Sequence, residues 1–332
     1  MTRTQLAIVS AWLLAWPAIC PHAARAQGDG QETYYTNYRK AFLAQAARTT
    51  LVAPDIHACA AGRLSDATQA EVVDTLNDIR RRHGLGPVSY DPRYDTQVMQ
   101  AALMIAANGQ LSHDPAKSWL CYTDEGHEGA SNSVIFGGLV ARNPQYYTPS
   151  QVVVSWLSDV RNVKGGIGHR MWLLDPSLRT ISYGQVAGAF DDGKVSEGAA
   201  MKVFGGEGQK ADRAPDYPPR IIAYPYGDYP AKYYEDGAIL SFAVDVPAKV
   251  NPSVSYEKTS ISIQIDNGAW QPVKIVGKAD VPYWAPVFLE FDAGPLTPGI
   301  KYSVKVKDVE VNGVYQDFDY GFELVGETDK AR

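Results

Sequence analysis

The sequence predicts an α+β fold in two parts, a compact mixed domain over residues 66–206 and an all-β sandwich over residues 235–327. Three observations carry this. Capped segments with apolar residues at helical spacing recur between Asp66 and Val160. One short hairpin pattern follows them, and beyond residue 234 the apolar period switches to two.

The elements follow in chain order. Residues 1–26 read as a secretory leader, with Arg3 as the positive end, Leu6 to Cys20 as the apolar run, and Ala24-Arg25-Ala26 as the cleavage site before Gln27. The run is short for a membrane span, and no later segment reaches eighteen apolar residues, so a secreted or periplasmic chain that does not span a membrane is expected. Residues 27–65 form an arm whose one periodic piece is "NYRKAFLAQAAR". Asp66-Ala67-Thr68-Gln69 reads as a capping box, followed by Val72, Val73, Leu76 and Ile79. The cluster Arg80-Arg81-Arg82-His83 before Gly84 reads as a helix end that complements the dipole. A second helix is expected from near Asp91 to Ala107, burying Val98, Ala101, Ala102 and Ile105. Thr148-Pro149-Ser150-Gln151 opens a third, carrying Val152, Val153, Trp156, Leu157 and Val160. "RTISYGQVAGAF" and "AAMKVFGG" read as strands around the turn Asp191-Asp192-Gly193.

Residues 207–234 are dense in proline and tyrosine and read as a stiff linker, or as a lid in which Tyr224, Tyr226 and Tyr229 wall a cleft. Beyond them, "AILSFAVDV", "SISIQID", "PVKIVGK", "VFLEFDA", "KYSVKVKDVEV" and "YQDFDYGFEL" alternate as half-buried strands do. Asp266-Asn267-Gly268 and Thr297-Pro298-Gly299 supply turns.

Charge and cysteine usage narrow the function. Removing the leader takes away Arg3 and Arg25 and moves the formal charge from −6 to −8, a poor electrostatic partner for nucleic acid or anionic lipid. Of three cysteines only Cys59 and Cys121 remain, and in an oxidising compartment they are expected to pair. A two-thiolate zinc site lacks the close spacing such sites use.

Two histidines stand at breaks between elements, His113 in "LSHDP" and His169 in "GIGHR", with Asp159 three residues after Trp156. A carboxylate beside imidazoles can fix a tautomer or share a divalent cation. No HExxH or G-x-S-x-G spacing is present. His57 and His127 read as loop or surface residues.

At these residues the chain resembles a family. "TLNDIRRRHGLGPVSYDPRYDTQVMQAALMIAANGQLSHDP" and "SWLSDV…GIGHRMWLLDP" are similar to the two halves of a CAP-superfamily domain, the family of cysteine-rich secretory and pathogenesis-related proteins. The resemblance spans roughly residues 68–205 and implies an α-β-α sandwich with a cleft lined by two histidines and two acidic residues. His113 and His169 match the histidines, and Asp159 stands where the family usually has Glu. In the "GEN" motif the matching stretch is Gly129-Ala130-Ser131-Asn132, so Ser131 replaces the second carboxylate, with Glu125 and Glu128 out of register. The C-terminal strands, especially "PLTPGIKYSVKV", resemble immunoglobulin-like or fibronectin-like modules.

The resemblance implies a binding protein whose cleft takes a small ligand, lipid or peptide. His113, His169 and Asp159 would weakly hold zinc or another divalent cation, with water completing the shell. Two alternatives are a metal-assisted or histidine-based hydrolase of peptides or envelope polymers, and an adhesion protein whose C-terminal sandwich binds a surface or polymer.

Overall fold

The computed structural model describes residues 21–162, 165–204, 218–246, 253–279 and 286–326, with side chains from Gly30 onward. Most of the expected leader and the first part of the expected linker therefore lie outside the described residues. In chain order the N-terminal region comprises α1 (Pro21–Ala47), β1 (Thr50–Val52), β2 (Arg63–Leu64), α2 (Asp66–Arg82), β3 (Ser89–Tyr90), α3 (Asp95–Asn108), α4 (Asp124–Ser131), β4 (Ser133–Gly137), α5 (Pro149–Ser158), α6 (Gly168–Leu173), β5 (Thr180–Ala189) and β6 (Val195–Lys202).

A four-stranded sheet in the order β3-β5-β6-β4 forms the middle layer. The hairpin β5–β6 is antiparallel and buried along nearly its whole length, so it needs cover on both faces. Helix α3 covers one face at very short range. A Cβ on Gly184 would lie 2.5 Å from Val98 backbone, and one on Gly198 would lie 2.4 Å from the Ala102 carbonyl. Those two glycines, with the alanines of α3, let helix and sheet backbones approach this closely. The other side packs Leu76, Val153, Trp156 and Leu157 of α2 and α5 against Tyr183 and Met201. The result is the expected α-β-α layering.

The helix ends follow the caps with small shifts. Ser65, not Asp66, caps α2 by accepting from the Thr68 amide, and Gly84 takes the left-handed conformation past its end. Thr148 and Gln151 form the reciprocal box at α5. That helix stops at Ser158, because Asp159 turns left-handed, and Val160 is exposed rather than part of the apolar face. The arm is tied down twice. Cys59 and Cys121 are bonded with Cα atoms 5.1 Å apart, closing a 62-residue separation worth about 4 kcal/mol of loop entropy. Phe42 of α1 packs edge-on against Tyr146.

The basic cluster at the end of α2 is more than a dipole complement. Arg80 is fully buried and donates to the carbonyls of Gly86, Leu173, Asp175 and Leu178, pinning two chain reversals to one helix. Asn77, one turn earlier, exchanges two hydrogen bonds with the Val88 backbone. His83 is buried between Tyr224 and Tyr229.

From residue 220 onward the regular elements are almost all strands: β7 (Arg220–Tyr224), β8 (Gly227–Pro230), β9 (Leu240–Asp245), β10 (Val254–Ser255), β11 (Ser260–Ile265), β12 (Gln271–Pro272), β13 (Lys274–Ala279), β14 (Phe288–Asp292), β15 (Lys301–Val311) and β16 (Val314–Val325). They form a four-stranded sheet in the order β13-β14-β9-β7 and a six-stranded sheet through β12-β11-β15-β16-β8, with β10 on β15. This corrects the expected boundary at residue 234. β7 pairs with β9 and β8 pairs in parallel with β16, so the tyrosine-rich stretch supplies two strands rather than a linker. Its alternation was masked by the prolines that bracket it. Tyr224 and Tyr229 are accordingly buried and do not wall a cleft.

Candidate functional site

A cleft of about 580 Å³ opens between the loop after α3, the β4 end of the sheet and the α5–α6 corner. His113, Asp159 and His169 all line it, although the two histidines are far apart in sequence.

The α5–α6 corner is built around Asp159. Its left-handed conformation ends α5 and turns the carboxylate back toward α6. Oδ1 meets His169 Nδ1 at 2.5 Å, and Oδ2 accepts the Arg170 amide at 2.9 Å. Asn162 also donates to Oδ1. Because Asp159 engages Nδ1, it fixes the orientation of the imidazole and directs Nε2 away from itself. The Asp159 side chain is 1% exposed and that of His169 is 21% exposed, so a carboxylate inside holds an imidazole at the surface of the cleft.

Arg170, the next residue, turns inward and is fully buried. It donates to the carbonyls of Leu157 and Ser158, two of the orphaned acceptors at the end of α5. It also reaches the Ile239 carbonyl and Ser241 Oγ beside β9, and its guanidinium lies 3.9 Å from the Tyr224 ring centroid. Glu235 grips the same corner from the C-terminal region, accepting from Ser158 Oγ and Arg161. The C-terminal region thus braces the helix that carries His169.

On the opposite rim His113 donates from Nδ1 to the Ala130 carbonyl at 2.9 Å. Ser131, expected in the cleft, is not among the lining residues. Its hydroxyl donates to the carbonyls of His113 and His127, both at 2.9 Å, and so helps hold the His113 loop on α4. His127 is held by Asp114, and His57 meets the Ala189 carbonyl, in keeping with surface roles.

A carboxyl that sequence reasoning passed over lines the cleft instead. Glu197, on β6, is buried, and its Oε2 accepts the Tyr147 amide at 3.2 Å. Gln185 Nε2 donates both to Glu197 Oε1 and to the Tyr147 carbonyl. Burial pushes the Glu197 carboxyl up to about 8, against the opposing pull of these two hydrogen bonds. The available signal was an acid in the run Val195, Glu197, Ala199, Met201, alternate positions on one strand face that are otherwise apolar.

The remaining lining is largely apolar, with Leu111, Ile135, Leu139, Tyr147 and Trp156. Trp156 is fixed by a hydrogen bond from its indole to the Ile135 carbonyl, and Tyr147 packs edge-on against Phe136. Leu139 is 63% exposed at the mouth. As they stand, the donors do not make a ready three-ligand metal centre. Both Asp159 oxygens are occupied by N–H donors, and among the described residues no three His, Cys, Asp or Glu side chains gather closely enough to hold an ion.

Comparisons with known proteins bear on the region that builds this cleft. No curated protein matches the chain. Among solved structures it is similar to an extracellular protein containing a SCP domain from Bacillus anthracis str. Ames, at 18% identity and a TM-score of 0.26, with 42% of each chain covered. The chain therefore spans about two-fifths of that protein's length. Residues 73–192 match the CAP family model, described as the cysteine-rich secretory protein family. That segment runs from α2 through the β5–β6 turn and includes His113, Asp159 and His169 but not Glu197.

Proposed function

We propose that the chain is a secreted, non-catalytic binding protein whose CAP-domain cleft takes an apolar molecule with one polar head. The carrying observation is the lining itself: a cleft of about 580 Å³ in which Leu111, Ile135, Phe136, Leu139, Tyr147 and Trp156 supply apolar walls between polar side chains on two rims. That composition suits a ligand whose body is desolvated by the walls while its head is oriented by His169, His113 and Arg161. Leu139 at the mouth is an exposed apolar side chain that such a ligand would cover. Fluorescence titration with dansyl-labelled undecanoate tests the reading. The full chain is expected to bind the probe, and Leu139→Arg, a change at an exposed position, is expected to weaken binding at least about tenfold. Equal affinity in the two proteins would overturn it.

A histidine-based hydrolase is the second reading, favoured by the 2.5 Å contact between His169 Nδ1 and Asp159. An imidazole oriented by a carboxylate is the general-base half of a hydrolytic site, with water as the nucleophile. A screen of ester and peptide substrates decides it, provided any activity disappears in His169→Ala. Zinc is a third occupant to titrate. His113 and His169 would supply imidazole nitrogens, and water the rest of the shell. Equal heats from wild type and His169→Ala would remove it.

A further inference from the structure

Glu197 has a property that the rest of the cleft lacks. Its carboxyl sits inside the sheet, among the described residues no cation lies against it, and its partners, Gln185 and the Tyr147 amide, are neutral donors. A carboxyl group offers about four lone-pair positions. Two are filled, and the group lines the cleft. The Gln185 amide cannot turn to relieve it, because Gln185 Oε1 accepts the Tyr183 hydroxyl at 2.9 Å while its nitrogen bridges Glu197 and Tyr147.

We propose that Glu197 is a ligand-binding residue of this cleft that acts in its protonated form, donating its carboxyl hydrogen to the acceptor head of an apolar ligand, so that the cleft lets go of its occupant at alkaline pH. The inference rests on the cleft being a ligand site and adds how the head is held. A buried neutral carboxylic acid donates strongly where a carboxylate can only accept and would repel an anionic head.

The neighbouring groups leave the window above neutrality to Glu197. On the loop before α5 and on β5, Tyr146 is pushed up to about 12 by burial and Tyr183 is raised well above its ordinary range. Glu71 of α2 acts on both of those tyrosines through space. At the α5–α6 corner stand Asp159, Arg161 and His169, and Arg161 is raised by its bond to Glu235. His113 and Asp114 face the cleft from the loop after α3. Readings at about pH 7 and about pH 9 both lie above the ordinary histidine midpoint, and only a group with a midpoint near 8 changes most of its charge between them.

The test titrates the full chain with dansyl-labelled undecanoate at the two pH values. Wild-type affinity is expected to fall about tenfold, the fraction of protonated carboxyl lost across a midpoint near 8. Glu197→Gln, neutral and a donor at both pH values, is expected to hold its affinity within about twofold. A wild type that binds equally at both values, or a Gln variant with the same fall, overturns the role of Glu197 and leaves the cleft reading intact. No probe binding at either pH overturns both. Infrared spectra of wild type carrying carboxyl-labelled glutamate give a check independent of the variant's folding. The neutral-carboxyl band is expected at pH 7, about tenfold weaker at pH 9 and displaced by probe, and a band indifferent to probe overturns the proposal.

Discussion

Two of the carboxyl groups that line the cleft, Asp159 and Glu197, are held in opposite ways. At the helical corner Asp159 accepts from three nitrogens, one of them an imidazole able to carry charge, and it holds His169 in place. On the sheet Glu197 meets only neutral donors, and burial drives it toward its protonated form. Depth does not separate them, since both are buried. The difference lies in local backbone. A helix end presents free N–H groups and turns a side chain toward them, whereas a strand interior has already committed its N–H groups to neighbouring strands.

The strongest way to break this comparison is to remove the corner's support. Arg170→Leu would leave the Leu157, Ser158 and Ile239 carbonyls without their donor, and unfolding in urea is expected to show a loss of about 4 kcal/mol. Next comes the pH dependence of Glu197. Its midpoint is raised from 4.5 to about 8, so the folded state holds a proton that the unfolded state has released across that interval. Stability therefore falls as pH rises from about 5 to about 8 and levels off above, by on the order of 4 kcal/mol. In Glu197→Gln this contribution is expected to be flat, as equilibrium unfolding at several pH values would show. A smaller effect is expected from Asp159→Asn, since Asn tolerates the left-handed conformation and keeps an acceptor for the Arg170 amide. The cost is about 2 kcal/mol, and the nitrogen-15 shifts of His169 should report a changed tautomer. Least affected is Ser131→Ala. Losing one hydroxyl that serves two carbonyls should cost about 1 kcal/mol and leave probe affinity unchanged. A large loss of affinity there would return Ser131 to the cleft.

The legible parts of the molecule share one trait: each is written in consecutive or regularly spaced residues. Thr148 to Gln151 forms its box, and Val98, Ala101, Ala102 and Ile105 are buried as their spacing requires. Cys59 and Cys121, bonded across 62 residues, are the exception, legible from their count and not from their spacing. The apolar period runs on to Val160, but α5 ends at Ser158, because the left-handed turn at Asp159 depends on bonds to residues of α6. Within residues 207–234, which read as a stiff linker or a lid, strands β7 and β8 exist only by pairing with β9 and β16 and leave no local signal. Ser131 was placed in the cleft by its motif position, but its hydroxyl has nearer carbonyls to serve.

By itself the sequence determined the periods, the caps, the cysteine pair and the ordered motifs on which His113, Asp159 and His169 are carried. Tertiary structure alone decided what surrounds each polar group: that Arg80 and Arg170 are buried against carbonyls, that Asp159 is saturated by N–H donors, and that Glu197 is sealed beside neutral ones. Caps and periods act over a few residues of chain, whereas the charge state of a buried group depends on which distant segments exclude water from it.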